Sequence, residues 1–240
     1  MVPPSTYVEF LLVFLGPALA MLAALVALGG PARRRDVRPF AVGVVVALAL
    51  AYTIPWDNYL IARGVWWYGD GTVAHTVWNA PIEEYAFIVL QPLLTALWVR
   101  LLATVDLSES SVASLALGWR TRLVGLLGAL AVGALGVGLF VGTSTLYLGA
   151  ILAWAAPVLG LQWAFGWPQL WRRRRTVLLA VAVPTAYLCV ADWVAINLGI
   201  WQLSAAYTTG YALLGLPIEE ALFFLVTNVF VVQGLVLYAW

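Results

Sequence analysis

Two identical tetrads hold the residues best suited to chemistry. Pro81-Ile82-Glu83-Glu84 and Pro217-Ile218-Glu219-Glu220 each open a long apolar run. Carboxylates at such places are costly in a membrane and are usually functional. A single pair could be ordinary interfacial charge; the duplication argues against that. Proline suits the first helical position, where a missing N–H is no loss. The glutamates then fall in the first turn, near the positive end of the helix dipole. Adjacent glutamates on a helix diverge by about 100°, so the two of each pair have different tasks. Glu84, Gln91 and Thr95 share one helix face, and Glu220 with Thr227 repeats its first part. Such a stripe faces the bundle and not lipid. Two carboxyl groups in a water-poor pocket can separate their pKa values, giving an acid and a base in one site. The candidate catalytic residues are therefore Glu83, Glu84, Glu219 and Glu220, with Pro81, Pro217, Gln91 and Thr227 in support. Asp57 and Asp192 could orient the glutamates or simply cap a loop. Trp78, Tyr85, Phe87, Phe223 and Phe224 could present ring faces to a substrate and to a cation.

The elements that must position these residues are membrane helices. The chain is 64% hydrophobic and 10% charged, with mean hydropathy +0.96, which does not fit a soluble domain. About 20 apolar residues span a bilayer as a helix. Seven such runs are predicted, near 7–29, 38–57, 81–103, 121–142, 146–167, 176–199 and 212–238. The first is too long for a signal-peptide core and precedes its arginine cluster. Residues 59–80, rich in Trp and Gly, read as an interfacial loop or re-entrant segment. The fold class expected is all-α, a polytopic membrane helix bundle.

Arginine placement sets the expected topology. Eleven of the 12 basic residues, all arginine, fall at 33–38, 100–122 and 172–175. The positive-inside rule puts those connections in the cytoplasm, the N-terminus outside and the C-terminus inside, in the cell membrane. Both tetrads then lie at the outer face.

The duplication is wider than the tetrads. Tyr7 and Pro17 match Tyr147 and Pro157, and Asp57-x6-Gly64-x-Trp66 matches Asp192-x6-Gly199-x-Trp201. Residues 1–103 thus read as one three-helix repeat, 144–240 as a second, and 104–143 as a connector holding the fourth helix. A shift of four spans gives both repeats the same orientation, about an axis along the membrane normal.

Several functions are excluded by what is missing. There is no lysine for a retinal Schiff base. One histidine, His75, and one cysteine, Cys189, cannot build the His-rich or Cys-based metal sites of other membrane enzymes. The five aspartates are scattered, and no Gly-rich dinucleotide fingerprint is present. No metal, no cofactor and no nucleic-acid partner are expected. What survives is carboxylate chemistry on an apolar substrate.

The duplicated Pro-x-Glu-Glu, the Tyr…Pro spans and the Arg-rich stops resemble the lycopene cyclases of the small-membrane-protein type. Some of these are two three-span subunits; in others the two are fused, and this chain resembles the fused form along nearly all its length. The resemblance implies an intramolecular lyase of the isomerase class that forms β-ionone rings at the ends of lycopene, a linear C40 carotene. It places the motif on Pro81, Glu83, Glu84, Pro217, Glu219 and Glu220. It implies lycopene and a monocyclic carotene as ligands, the lipid bilayer as surroundings, and other carotenoid enzymes as potential partners. Cyclisation needs one acid, one base, a dry pocket and rings to steady a cation, with no net redox change. The alternatives are a secondary transporter, which parallel repeats also suit, and a non-catalytic partner in a carotenoid complex.

The topology is checked by cysteine labelling of Ser110 and Ala205. The two positions should react from opposite sides of the membrane; reaction from the same side would defeat the arrangement.

Overall fold

A computed structural model describes residues 3–29, 38–106 and 118–238. Among them are seven helices long and apolar enough to cross a membrane. They are α1 (Tyr7–Leu28), α2 (Pro39–Ala62), α3 (Ile82–Asp106), α4 (Trp119–Phe140), α5 (Leu146–Arg172), α6 (Arg174–Asn197) and α7 (Ile218–Tyr238). The architecture is the all-α polytopic bundle that the composition implies. Of the arginine-rich connections, 30–37 and 107–117 lie outside the described residues. The third is no loop: α5 and α6 are separated only by Arg173.

Thr6 and Glu9 start α1 with a reciprocal capping box, the Thr6 hydroxyl accepting from the Glu9 N–H at 3.2 Å and Glu9 Oε2 accepting from the Thr6 N–H at 3.3 Å. Glu9 is thereby a cap and not part of a site. Pro17 cannot donate a backbone hydrogen bond and crowds the preceding turn. The helix answers with a π turn over Leu11–Leu15, in which the Gly16 N–H reaches back five residues to the Leu11 carbonyl. Helix α2 continues through Pro55 to Ala62, beyond the expected end at 57, and so keeps Asp57 and Asn58 on its buried side.

The two long loops after α2 and α6 fold alike. After α2 come β1 (Trp66–Tyr68) and the hairpin of β2 (Thr76–Val77) with β3 (Ala80–Pro81). After α6 come β4 (Trp201–Leu203) and the hairpin of β5 (Ala212–Leu213) with β6 (Leu216–Pro217). Residues 212–217, read from sequence as the start of the last span, are thus a hairpin, and α7 starts at Ile218. Strands of two or three residues carry no periodic signal in a sequence. The two loops are joined to each other: β1 pairs antiparallel with β4, Trp66 opposite Leu203 and Tyr68 opposite Trp201.

Helix α4 is a brace. A Cβ on Gly136 would lie 2.3 Å from the Ala153 nitrogen, and one on Gly149 would lie 2.3 Å from the Phe140 nitrogen. The backbones of α4 and α5 therefore touch, as small residues permit in membrane bundles. The opposite face of α4 shows Leu127, Leu130 and Val137 outward, which suits lipid. Gly149→Leu should force the pair apart. Overpacking of this kind costs about 1–3 kcal/mol or more, to be read as a lower unfolding temperature of the protein in detergent.

Candidate functional site

The two glutamates of each tetrad part company. Glu83 is 2% exposed and accepts the Ala74 N–H at 2.7 Å. Glu219, 0% exposed, accepts the Thr209 N–H at 2.7 Å. Each ties the loop before its helix to the helix itself, and each leaves its Oε2 buried without a hydrogen-bond partner. Pro81 and Pro217 are not the first helical residues; they end β3 and β6. Proline is tolerated at such strand ends, and the next N–H closes each hairpin, Ile82 onto the His75 carbonyl at 2.9 Å and Ile218 onto the Tyr211 carbonyl at 3.1 Å.

Glu84 and Glu220 turn the other way, into one cavity of about 50 Å³ that Asp57 and Asp192 also line. Glu84 Oε2 accepts two phenol hydrogen bonds, from Tyr68 at 2.7 Å and Tyr7 at 3.0 Å. Glu220 shares the cavity with the Tyr147 phenol. Asp192 Oδ1 accepts the Trp201 indole N–H at 2.9 Å, while Asp57 Oδ2 and Asp192 Oδ2 are buried with no partner. Among the described residues, no arginine lines the cavity. Burial, and then the adjacent Glu84 carboxyl, push the Tyr68 phenol well above its ordinary value near 10, so Tyr68 stays a proton donor.

Backbone pairing places these groups. The Tyr7 N–H donates to the Thr72 carbonyl at 2.8 Å, and the Tyr147 N–H to the Tyr207 carbonyl at 3.1 Å. Each loop thus holds the first turn of a helix that brings in a tyrosine. Tyr68 comes from β1, held in turn by β4. The rest of the wall is aromatic. Trp56 lies parallel to Phe223 at 5.8 Å, Trp201 stands 4.9 Å from Tyr7, and Phe87 meets Phe224 edge-on at 6.1 Å. Proton donors and acceptors therefore face one another inside a shell of ring faces. That arrangement can move a proton onto and off an apolar group and shelter a cation between the two events.

The other expected residues lie elsewhere. Trp78 is 76% exposed at a hairpin tip, with φ of 58°. Tyr85 donates to the Val77 carbonyl at 2.6 Å and accepts from Asn58 Nδ2 at 3.2 Å, which braces the same hairpin. Gln91 and Thr95 both donate to Asn228 Oδ1, at 2.8 and 2.5 Å, which ties α3 to α7. Thr227 donates to its own helix at Phe223. Gln91 and Thr227 border a second, apolar cavity of about 300 Å³ that shares Phe87 and Phe223 with the first. Sequence reasoning missed Tyr68, Trp56 and Asn228 altogether. It noticed Tyr7 and Tyr147 as duplicated positions without assigning them a task, although that duplication was the available signal.

The family model described as lycopene cyclase matches residues 5–102 and 143–237. The chain belongs to the lycopene cyclase family. It is 52% identical over 236 residues to a protein of Halobacterium salinarum named lycopene beta-cyclase, covering 98% of this chain and 97% of that one. It is 35% identical over 207 residues to a bifunctional lycopene cyclase/phytoene synthase of Aspergillus oryzae, covering 81% of this chain and 34% of the fungal protein. A protein of the same description from Phycomyces blakesleeanus is 32% identical over 228 residues. No solved structure matches the chain.

In this lycopene cyclase family protein, Glu219→Ala should act through stability. Removing the acceptor of the Thr209 N–H and leaving a void costs about 1–3 kcal/mol. Glu84→Gln keeps an acceptor for both phenols and should unfold close to the parent temperature. Thermal unfolding of both variants in detergent checks the contrast; equal destabilisation would refute it.

Proposed function

We propose that the protein is a lycopene β-cyclase, an intramolecular lyase of the isomerase class acting at the ends of a linear C40 carotene. One observation carries the reading: Glu84 and Glu220, from helices far apart in sequence, meet with Asp57 and Asp192 in one ring-lined cavity. The 52% identity to the Halobacterium salinarum lycopene beta-cyclase supports the choice of substrate.

The reaction is proton-balanced. An acid adds a proton to the terminal double bond and leaves a tertiary cation. The neighbouring double bond attacks that cation, closing the ring by a carbon–carbon bond and moving the charge into the ring. A base removes a ring proton, and the double bond forms. The two phenols donated to a single oxygen suit Glu84 to the ionised, accepting role. Glu220, with Tyr147, takes the donating role. Asp57 and Asp192 extend the proton-holding network, and Trp56, Phe87 and Phe223 steady the cation. Glu83 and Glu219 position the helix starts and touch no substrate.

Two parallel three-helix repeats, 1–103 and 144–240, joined by 104–143, account for this site. The matched loops, matched tyrosines and matched glutamate bonds support that organisation. The protein sits in the cell membrane with its N-terminus outside and its C-terminus in the cytoplasm. Because one cavity receives both glutamates, a carotene is cyclised at one end, released as the monocyclic product, turned, and cyclised at the other.

A shared site makes a sharp expectation. In a lycopene-producing host, Glu84→Gln and Glu220→Gln should each abolish rings at both ends, a loss of at least about 100-fold for removal of an acid or base. Two independent sites would leave substantial monocyclic or bicyclic product in both well-expressed variants.

A further inference from the structure

The carboxyl-lined cavity is small. At about 50 Å³ it has room for little more than one or two water-sized groups, whereas the neighbouring apolar cavity has about 300 Å³. The two meet at Phe87 and Phe223, which border both. The larger cavity lies among α2, α3, α5 and α7, on the side of Asp57 that leads toward Pro39. Several of its polar neighbours spend donors on the protein, though Gln162 leaves its Oε1 without a partner. Tyr52 donates to the Trp154 carbonyl at 2.7 Å, Gln162 to the Phe230 carbonyl at 2.8 Å, and Gln91 to Asn228. What remains facing the cavity is mostly hydrocarbon and aromatic wall.

The cavity is open on one side. Tyr52 stacks on Trp154, centroids 5.4 Å apart, and there α2 and α5 touch. Beyond that pair the helices leave a slot bordered by Leu48 and Ala49 on α2 and by Leu161 on α5. Leu48 is 63% and Leu161 74% exposed, on helices long enough to cross the membrane, so the slot faces lipid tails. Leu48 lies nine residues from Asp57, which is about 13 Å along a helix. An extended chain can therefore reach from the slot to the carboxyls without leaving apolar surroundings.

We infer that the slot between α2 and α5 admits a linear carotene sideways from the bilayer and holds its polyene body, with Phe87 and Phe223 parting to pass the end group. The inference rests on the cyclase reading. It adds a binding tunnel and a route to it. An apolar C40 chain fits because it already dissolves in the tails outside the slot, and because the tunnel ends at the proton-donating groups. The same slot must release a ring-bearing end before the second end can enter.

The test blocks the slot from its lipid side, where large side chains are tolerated. Ala49→Trp and Leu161→Trp are introduced singly, with Ala131→Phe on the exposed face of α4 as control. Lycopene retained per protein is measured in nanodiscs on the Glu84→Gln background, and ring formation in a lycopene-producing host on the wild-type background. Both slot variants should lower both readouts at least tenfold at unchanged protein amount, and the control should change neither. Slot variants that are inserted normally and still bind and cyclise would overturn the tunnel while leaving the cyclase reading intact. A wild-type protein that binds lycopene through the slot and forms no rings would instead overturn the cyclase reading.

Discussion

Four carboxyl groups share one apolar pocket, and among the described residues no cation lines it. Asp57, Glu84, Asp192 and Glu220 line it, no arginine among the described residues does, and the chain has no lysine. Ionising all four in a dry pocket would cost far more than any local contact returns. The molecule resolves this with phenols and an indole, which donate hydrogen bonds without adding charge. Tyr7 and Tyr68 donate to Glu84 and Trp201 donates to Asp192, while Tyr147 lines the pocket with Glu220. These donors bind the carboxyl groups and leave the net charge of the pocket unchanged, whereas a guanidinium would add to it.

The surrounding architecture keeps those donors in place. Helix ends are the weak points of a membrane bundle, because their backbone groups lack intrahelical partners. Here the N–H groups of Tyr7 and Tyr147 find loop carbonyls at Thr72 and Tyr207, and the side chains of Glu83 and Glu219 accept the loop N–H groups of Ala74 and Thr209. One glutamate of each pair is spent on holding the loop so that the next can face the pocket. The seam of glycines between α4 and α5 fixes the position of Tyr147 and Trp154 from behind.

Much of this was legible in the sequence, and the limits have physical causes. Long apolar runs give membrane helices directly, so the bundle and its seven spans could be read. The duplicated Pro-Ile-Glu-Glu pointed to all four glutamates, and the 100° divergence implied only that the two of each pair differ; the structure shows that Glu84 and Glu220 line the cavity. The hairpins could not be read, since two-residue strands have no period, and so 212–217 looked like helix. Trp78 and Tyr85 were offered as substrate contacts because aromatic residues near a carboxylate look alike in one dimension. Their hairpin contacts appear only once Asn58 is seen clamping Asn79 and Ala80. Asn228 escaped notice because its counterpart position is Pro92, so the duplication that revealed the rest was silent there.

The pairing of β1 with β4 has a consequence for assembly. Trp66–Tyr68 and Trp201–Leu203 are separated by more than a hundred residues of chain, yet each completes the other. Helices α1 to α3 can insert as soon as they are made, because their backbone bonds are internal. The roof over Glu84 cannot form until the sixth helix has crossed and delivered β4. Loop closure over so long a separation is slow compared with helix formation. The nascent chain therefore holds Asp57 and Glu84 in an open cleft from the completion of α3 until β4 has been made. Trp66, Tyr68, Trp201 and Leu203 all line the pocket, so its wall is complete only when the two loops have paired.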